Sequence, residues 1–162
     1  MTVREMIVTG PAIGPGQYLD LDLDLLTACI ESCVECASTC TACADACLAE
    51  PEVDQLRACV RRNLDCADLC ATTSAVLTRQ TATDLGLARV VLEACIVACK
   101  RCGAECEQHA DRHVHCGVCA QSCRACEAAC RQLLEGLRGL VGQPEPVGST
   151  ARDDDDIEGP VS

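Results

Sequence analysis

The stretch CIESCVECASTCTACADAC, residues 29–47, decides the fold, because its six cysteines recur at steps of four, three, four, three and four. That alternation is the period of the buried seam of a helix packed against other helices. An ordinary bundle places Leu, Ile or Val at such positions. Here each one is a thiol: Cys29, Cys33, Cys36, Cys40, Cys43 and Cys47. The sequence therefore predicts a helix whose core-facing side consists of cysteine.

The spacing of these thiols favours metal binding over disulfide formation. Side chains at i and i+4 of a helix stand about 5–6 Å apart at Cβ. Two thiolates that share a two-coordinate metal lie roughly 4–5 Å apart, given metal–sulfur bonds of about 2.3 Å. A disulfide requires Cβ atoms at about 3.8 Å. A Cys-x-x-x-Cys step can therefore hold a soft metal without bending the helix.

The same seam recurs in three later segments, which together with residues 29–47 contain all 18 cysteines. The later cysteines are Cys59, Cys66 and Cys70; Cys95, Cys99, Cys102 and Cys106; and Cys116, Cys119, Cys123, Cys126 and Cys130. We expect one helix from Asp20 or Asp22 to about Glu50 and a second from Pro51 to about Gln80. A third is expected over about 82–113, capped by Thr81 or Thr83, and a fourth is expected to end near Val141. Four such helices with short connections predict an all-α, antiparallel up-down-up-down four-helix bundle about 40 Å long with a Cys-lined core.

Three parts of the chain follow from this interpretation. Residues 1–19 are expected to be an irregular lead-in with at most a short helical turn, and residues 20–141 to be the metal-binding bundle. Residues 142–162 are expected to be a disordered acidic tail. The tail holds six acidic residues and one arginine, so it contributes −5 of the net charge of −12 and leaves −7 for the rest. Nucleic acid is an unsuitable partner, because phosphate binding needs a basic face.

The sequence predicts a cytoplasmic protein with reduced thiols. The start, MTVREMIVTGPAIGPG, lacks a charged segment followed by an apolar stretch and a small-residue cleavage site. No run approaches the roughly 18 apolar residues of a membrane span, so we expect no membrane association. In the cytosol, thiols stay reduced and available for metal.

The two ends of the predicted bundle differ. At one end the seams continue as leucine: Leu26, Leu77, Leu92, Leu133 and Leu137. At the other end the third seam continues from Cys106 to His109 and His113, and His115 lies in the following turn. We interpret the histidine end as the mouth for metal, with His109 and His113 as candidate ligands. Each could equally be an ordinary polar cap, and His115 is expected to be a solvated turn residue.

Buried thiolates select soft ions, with Cu(I) first and Zn(II) or Cd(II) behind it. One Cu(I) replacing one thiol proton keeps the core neutral, so roughly 9–18 Cu(I) per chain fit this argument. Two alternatives stay open: a zinc or cadmium thiolate buffer, and a disulfide-stapled or redox-sensing bundle. No phosphate loop or nucleophile–base pair is present, so we expect no enzyme activity.

The segments CIESCVECASTCTACADAC, CIVACKRCGAEC with His109 and His113 beyond it, and CGVCAQSCRACEAAC resemble the copper storage proteins. The resemblance covers about residues 20–141 and is similar to the cytosolic branch. It implies a homotetramer of bundles, Cu(I) bound largely by Cys-x-x-x-Cys pairs, and metal entry past His109 and His113. It also implies storage for the cell, with a copper chaperone or copper enzyme as donor or acceptor. Asn63 departs from the pattern, since it stands where the second seam could hold another cysteine, and the acidic tail has no counterpart.

Overall fold

Five helices account for most of the chain in a computed structural model that describes residues 2–10 and 22–141. They are α1 (Val3–Thr9), α2 (Leu23–Ala49), α3 (Val53–Thr78), α4 (Leu85–His109) and α5 (Val114–Val141). The described residues contain no strand. The four long helices are those that the cysteine seams predicted. The expected disordered tail lies outside the described residues.

The long helices form a closed ring around one core. α2 packs against α3 and α5, and α4 packs against the same two helices. Neighbours run antiparallel: Cys29 near the start of α2 meets Cys130 on α5, whereas Cys47 at the end of α2 meets Cys116 at the start of α5. The fold is therefore an all-α, up-down-up-down bundle, as the sequence predicted, and its core is lined by cysteine.

Aspartates cap two of the long helices. The Asp22 side chain accepts hydrogen bonds from the backbone N–H groups of the first turn of α2, which agrees with one of the two predicted caps. The predicted caps of α4 were wrong, because Asp84 takes this role instead of Thr81 or Thr83 and the helix begins at Leu85. The prediction missed it because two threonines precede an aspartate that caps equally well.

The described part of the lead-in, residues 2–10, contains a helix longer than the single turn that the sequence suggested. α1 forms about two turns and begins with a capping box in which the side chains of Thr2 and Glu5 satisfy each other's backbone N–H groups. Its Ile7 is buried in the core cluster, and Arg4 forms an ion pair with Asp24 at the start of α2. A helix as short as α1 is stable here because it packs against the leucine end of the bundle.

The leucine end is closed by hydrocarbon. All five predicted leucines are buried: Leu26, Leu77, Leu92, Leu133 and Leu137. Thr73 is also fully buried there, and its hydroxyl donates to the Leu69 and Val91 carbonyl groups. No polar atom of this threonine needs water, so the end can stay dry.

Shortening a leucine at this end should weaken the metal-free protein. Leu92→Ala removes a fully buried side chain and should lower the free energy of unfolding by about 2–5 kcal/mol. Leu48→Ala is the matched control, because Leu48 is 60% exposed and its loss should cost within about 0.5 kcal/mol. Denaturant unfolding of the reduced, chelator-treated protein measures both. Equal losses would show that the closed end does not stabilise the fold.

Candidate metal centre

All 18 cysteines are free and buried in a single core, where they form what we call the thiol lattice. Sulfur atoms from different helices approach one another to 3.6–4.0 Å. Cys40 on α2 illustrates the density: its Sγ lies 3.6 Å from those of Cys119 and Cys123 on α5 and 4.0 Å from that of Cys102 on α4. A soft ion at any such point would have several thiols within bonding reach.

Within-helix pairs also bring sulfurs together, as the i, i+4 argument predicted. The Sγ atoms of Cys36 and Cys40 are 3.8 Å apart, and those of Cys66 and Cys70 are 3.9 Å apart. The same holds for Cys95 and Cys99, at 3.9 Å. In each of these three pairs the two sulfurs are close enough to bind one two-coordinate metal ion after a small change of rotamer.

The lattice is divided into overlapping groups of four, whose sulfurs lie within 4.8 Å of one another. Five of these groups are Cys33, Cys95, Cys126 and Cys130; Cys36, Cys70, Cys99 and Cys126; Cys36, Cys40, Cys66 and Cys123; Cys40, Cys102, Cys119 and Cys123; and Cys43, Cys47, Cys59 and Cys116. The first four form a chain, because each shares at least one cysteine with the next. A thiolate shared by two groups can bridge two metals, so the chain allows a continuous cluster.

Asn63 interrupts the thiols in the middle of the core. Its side chain is fully buried. The Nδ2 group donates to the Cys59 carbonyl at 2.9 Å and lies 3.5 Å from the Cys106 sulfur. The Oδ1 atom accepts from the Cys119 thiol at 2.9 Å and from the Cys102 thiol at 3.4 Å. Asn63 is thus a fully satisfied polar group that ties α3 to α4 and α5 between the histidine end and the deeper thiols.

The histidine end carries three imidazoles and a carboxylate, which we call the mouth: His109, His113, His115 and Glu50, of which the last three contact one another. Glu50 Oε1 lies 3.1 Å from His113 Nδ1 and 3.1 Å from His115 Nε2. The hydrogen bonds from His115 and His113 lower the pKa of the Glu50 carboxyl. The carboxylate at the end of α2 therefore orients both rings from across the bundle.

His115 was expected to be a solvated turn residue, but it turns inward. Its Nδ1 lies 3.5 Å from the sulfurs of both Cys43 and Cys116. The spacing of residues did not predict this contact, because His115 lies off the three-four step of the third seam. It lies at the second position of α5, where it faces α2 beside the first cysteine of the fourth seam.

His109 and His113 lie where the seam predicted, each 9% exposed. His109 Nε2 lies 3.3 Å from Glu105 Oε1. His109 Nδ1 is buried without a hydrogen-bond partner in the described part of the chain. A buried ring nitrogen with a free lone pair or proton costs stability unless it has a partner, and a metal ion would supply one.

Hydrogen bonds between neighbouring thiols and burial shift the pKa values of individual cysteines in opposite directions. Hydrogen bonding with Cys130 lowers the pKa of Cys29 to about 5, and hydrogen bonding with Cys102 lowers that of Cys106 to about 4. Burial raises the pKa of Cys116 to about 12, and hydrogen bonding with Cys102 raises that of Cys40. Hydrogen bonds between thiols therefore make Cys29 and Cys106 more acidic than Cys116 and Cys40, because a neighbouring thiol that donates a hydrogen bond favours the thiolate.

The family match and the similar solved structures all point to the same kind of protein. The profile of a family described as "Copper storage protein" matches residues 23–135. A copper storage protein from Streptomyces lividans, solved with 10 copper equivalents, is 49% identical, with a TM-score of 0.79 over 83% of this chain and 99% of the other.

Two further structures of the Streptomyces lividans protein agree. The cytosolic copper storage protein loaded with five coppers is 53% identical over 69% of this chain and 93% of the other, with a TM-score of 0.68. A variant with two histidine-to-alanine substitutions is 51% identical over 72% and 98%, with a TM-score of 0.71. No curated protein matches the chain.

Thiolates should be present in the metal-free protein well below the usual titration range of cysteine. With pKa values lowered to about 5 and about 4, Cys29 and Cys106 are deprotonated above those values, so the folded protein should show ultraviolet thiolate absorbance at about pH 6, where unfolded cysteine is protonated. An anaerobic pH titration measures it, with the same chain in guanidinium as the control. A folded curve that coincides with the unfolded one would contradict the lowered pKa values of Cys29 and Cys106.

Proposed function

The chain belongs to the copper storage protein family, and we propose that it stores copper as Cu(I) on the 18 cysteines of the thiol lattice. The observation that carries this proposal is the continuity of the lattice. All 18 thiols are free, buried and within a few ångströms of a neighbouring sulfur. A protein that needed one structural metal would require only four of them.

Charge favours Cu(I) over zinc as the main occupant. A zinc ion with four thiolates carries a net −2, and a dry core cannot hold several such sites. One Cu(I) that replaces one thiol proton leaves the core neutral, and a thiolate can bridge two copper ions. The overlapping groups of four support such bridging, because Cys36, Cys40, Cys123 and Cys126 each belong to two of them.

We propose the 18 cysteines as ligands, with His109 and His113 at the mouth: Cys29, Cys33, Cys36, Cys40, Cys43, Cys47, Cys59, Cys66, Cys70, Cys95, Cys99, Cys102, Cys106, Cys116, Cys119, Cys123, Cys126 and Cys130. His115 joins the set on the distances from its Nδ1 to Cys43 and Cys116. Copper enters at this end because the opposite end is filled by leucine.

The family is one of storage proteins, and we propose that the chain acts without catalysis, in the cytoplasm. The described residues include no helix that is long and apolar enough to cross a membrane, and the Streptomyces lividans protein is a cytosolic one. We further propose residues 20–141 as the metal-binding unit, a homotetramer as the assembly, and a copper chaperone or copper enzyme as donor or acceptor.

An anaerobic Cu(I) titration of the reduced protein against a competing chelator tests the storage proposal. Uptake should reach roughly 9–18 Cu(I) per chain, because neutrality allows up to one copper per thiol. Zinc added in parallel should saturate at far fewer ions. A double variant, Cys40→Ser with Cys123→Ser, should lose capacity, because both thiols serve two groups of four. Saturation at a few Cu(I) ions, or displacement of copper by zinc, would favour a zinc buffer.

The rate of Cu(I) loading tests whether copper enters at the mouth. The double variant His109→Ala/His113→Ala should load Cu(I) several-fold more slowly while its final capacity stays within about one ion per histidine removed, since thiols provide the bulk of the ligands. Gln108→Ala is the control, because Gln108 is exposed beside His109. Stopped-flow loading under anaerobic conditions gives the rates. Unchanged rates in the double variant would place the entry elsewhere.

A further inference from the structure

Each of the three histidines at the mouth has one ring nitrogen held by a carboxylate. Glu50 Oε1 lies 3.1 Å from His113 Nδ1 and 3.1 Å from His115 Nε2. On α4, Glu105 Oε1 lies 3.3 Å from His109 Nε2. An ionised carboxylate can only accept hydrogen bonds. The ring nitrogen that faces each carboxylate is therefore the one that carries the proton.

These contacts decide which nitrogen of each ring keeps a lone pair, because a neutral imidazole has only one N–H group. The lone pair is left on Nδ1 of His109, on Nδ1 of His115 and on Nε2 of His113. His115 Nδ1 lies 3.5 Å from the sulfurs of Cys43 and Cys116. His109 Nδ1 is buried without a hydrogen-bond partner among the residues that the structure describes. A metal ion binds the unprotonated nitrogen of an imidazole, so these two nitrogens are available to one.

Glu50 imposes opposite tautomers on its two histidines, since its one oxygen meets Nδ1 of His113 and Nε2 of His115. The two rings lie 5.5 Å apart and are tilted by 41°. The Nδ1–H form is the minor tautomer of free histidine, so His113 depends on the carboxylate to hold it. Glu50 is itself fixed at the end of α2, where its backbone N–H donates to the Cys47 carbonyl.

Glu105 is held in place by an arginine from the neighbouring helix. Arg62 Nε on α3 donates to Glu105 Oε2 at 3.3 Å, which leaves Oε1 for His109. The Glu105 side chain is only 15% exposed. Residues 105 and 109 are one turn apart on the same face of α4. The carboxylate is thus fixed at both oxygens, and it can fix the ring in turn.

We propose that Glu50 and Glu105 are positioning residues for copper entry, which set the tautomer and the orientation of the three histidines at the mouth. An incoming Cu(I) ion then meets an unprotonated nitrogen on each ring. The carboxylates act through the rings and do not bind the metal, because their hard oxygen atoms suit Cu(I) poorly. A carboxylate that accepts the second N–H of a metal-binding histidine has this role in many metal sites.

The tautomers can be read directly from the metal-free, reduced protein. Nuclear magnetic resonance of ¹⁵N-labelled histidine separates protonated from unprotonated ring nitrogens at about pH 8, where unperturbed imidazole is neutral. The wild-type protein should show Nδ1–H at His113 and Nε2–H at His109 and His115, with the signals assigned from single His→Ala variants. An Nε2–H form at His113 in the wild type would overturn the proposal, and this measurement needs no carboxylate variant to fold.

Removing the Glu50 carboxylate should release the tautomer of His113. In Glu50→Ala this ring should change to mainly the Nε2–H form. In Glu50→Gln it should keep Nδ1–H, because an amide oxygen can still accept both N–H groups. Glu52→Ala is the matched control, since Glu52 is exposed two residues away and its side chain makes no capping hydrogen bond. An unchanged His113 in Glu50→Ala, or the same change in Glu52→Ala, would contradict the proposal.

Anaerobic stopped-flow loading from a Cu(I)–chelator complex measures the consequence for entry. Glu50→Ala and Glu105→Ala should each load several-fold more slowly at an unchanged final capacity. The two Gln variants should load at close to the wild-type rate. Glu107→Ala is the control for Glu105→Ala, because it also breaks an ion pair with an arginine of the neighbouring helix: Arg124 donates to both Glu107 oxygens at 2.9 Å. Its loading rate should not change.

The Gln variants distinguish orientation of the rings from attraction of the cation by negative charge. If they load as slowly as the Ala variants, the charge of the carboxylates matters and the positioning role is wrong. Unchanged rates in both Ala variants would overturn it as well. This inference rests on the proposed copper storage, but the two fail separately. A low Cu(I) capacity of the wild type rejects storage, whereas full capacity with unchanged tautomers and rates in the Ala variants rejects only the positioning role.

Discussion

The structure depends on one feature of its core: cysteine thiols occupy the core-facing helix positions that hydrocarbon side chains normally fill. Because the helical period places each seam residue toward the bundle axis, the residues that must pack the core are also the residues that can bind metal. Cys40, with sulfurs from two other helices within 4.0 Å, is at once a packing contact and a potential bridging ligand. The fold and the candidate site are therefore the same set of atoms.

Because the core residues and the candidate metal ligands are the same cysteines, the sequence could predict much of both the fold and the site. The steps between cysteines fix the helix faces, and they correctly predicted the four long helices and the contacts within a helix, such as Cys36 with Cys40. The contacts between helices depend on the axial shift and rotation of one helix against another, which spacing does not encode. His115 was misjudged for the same reason, since its proximity to Cys43 is set by the α2–α5 register.

The two ends of the bundle have different roles: the leucine end stabilises the fold, and the histidine end is polar and accessible to water. Thiols are smaller than leucine and bury less apolar surface, so a metal-free lattice contributes less hydrophobic stabilisation than an ordinary core. The closed end compensates with five buried leucines and with Ile7 of α1. The open end instead carries imidazole and carboxylate groups that tolerate water. A copper ion that fills the lattice adds bonds where hydrocarbon contacts are fewest, so metal should stabilise the fold from within.

Asn63 shows why the lattice does not consist of cysteine alone. A side chain that both donates and accepts can hold the thiols of Cys59, Cys102 and Cys119 in fixed orientations before metal arrives, whereas another thiol would donate weakly and pack loosely. Replacing hydrocarbon by thiol removes much of the shape-specific packing that keeps helices in register. One satisfied amide at the centre of the core restores some of that specificity, because any slip of α3 against α4 or α5 would leave its polar atoms without partners.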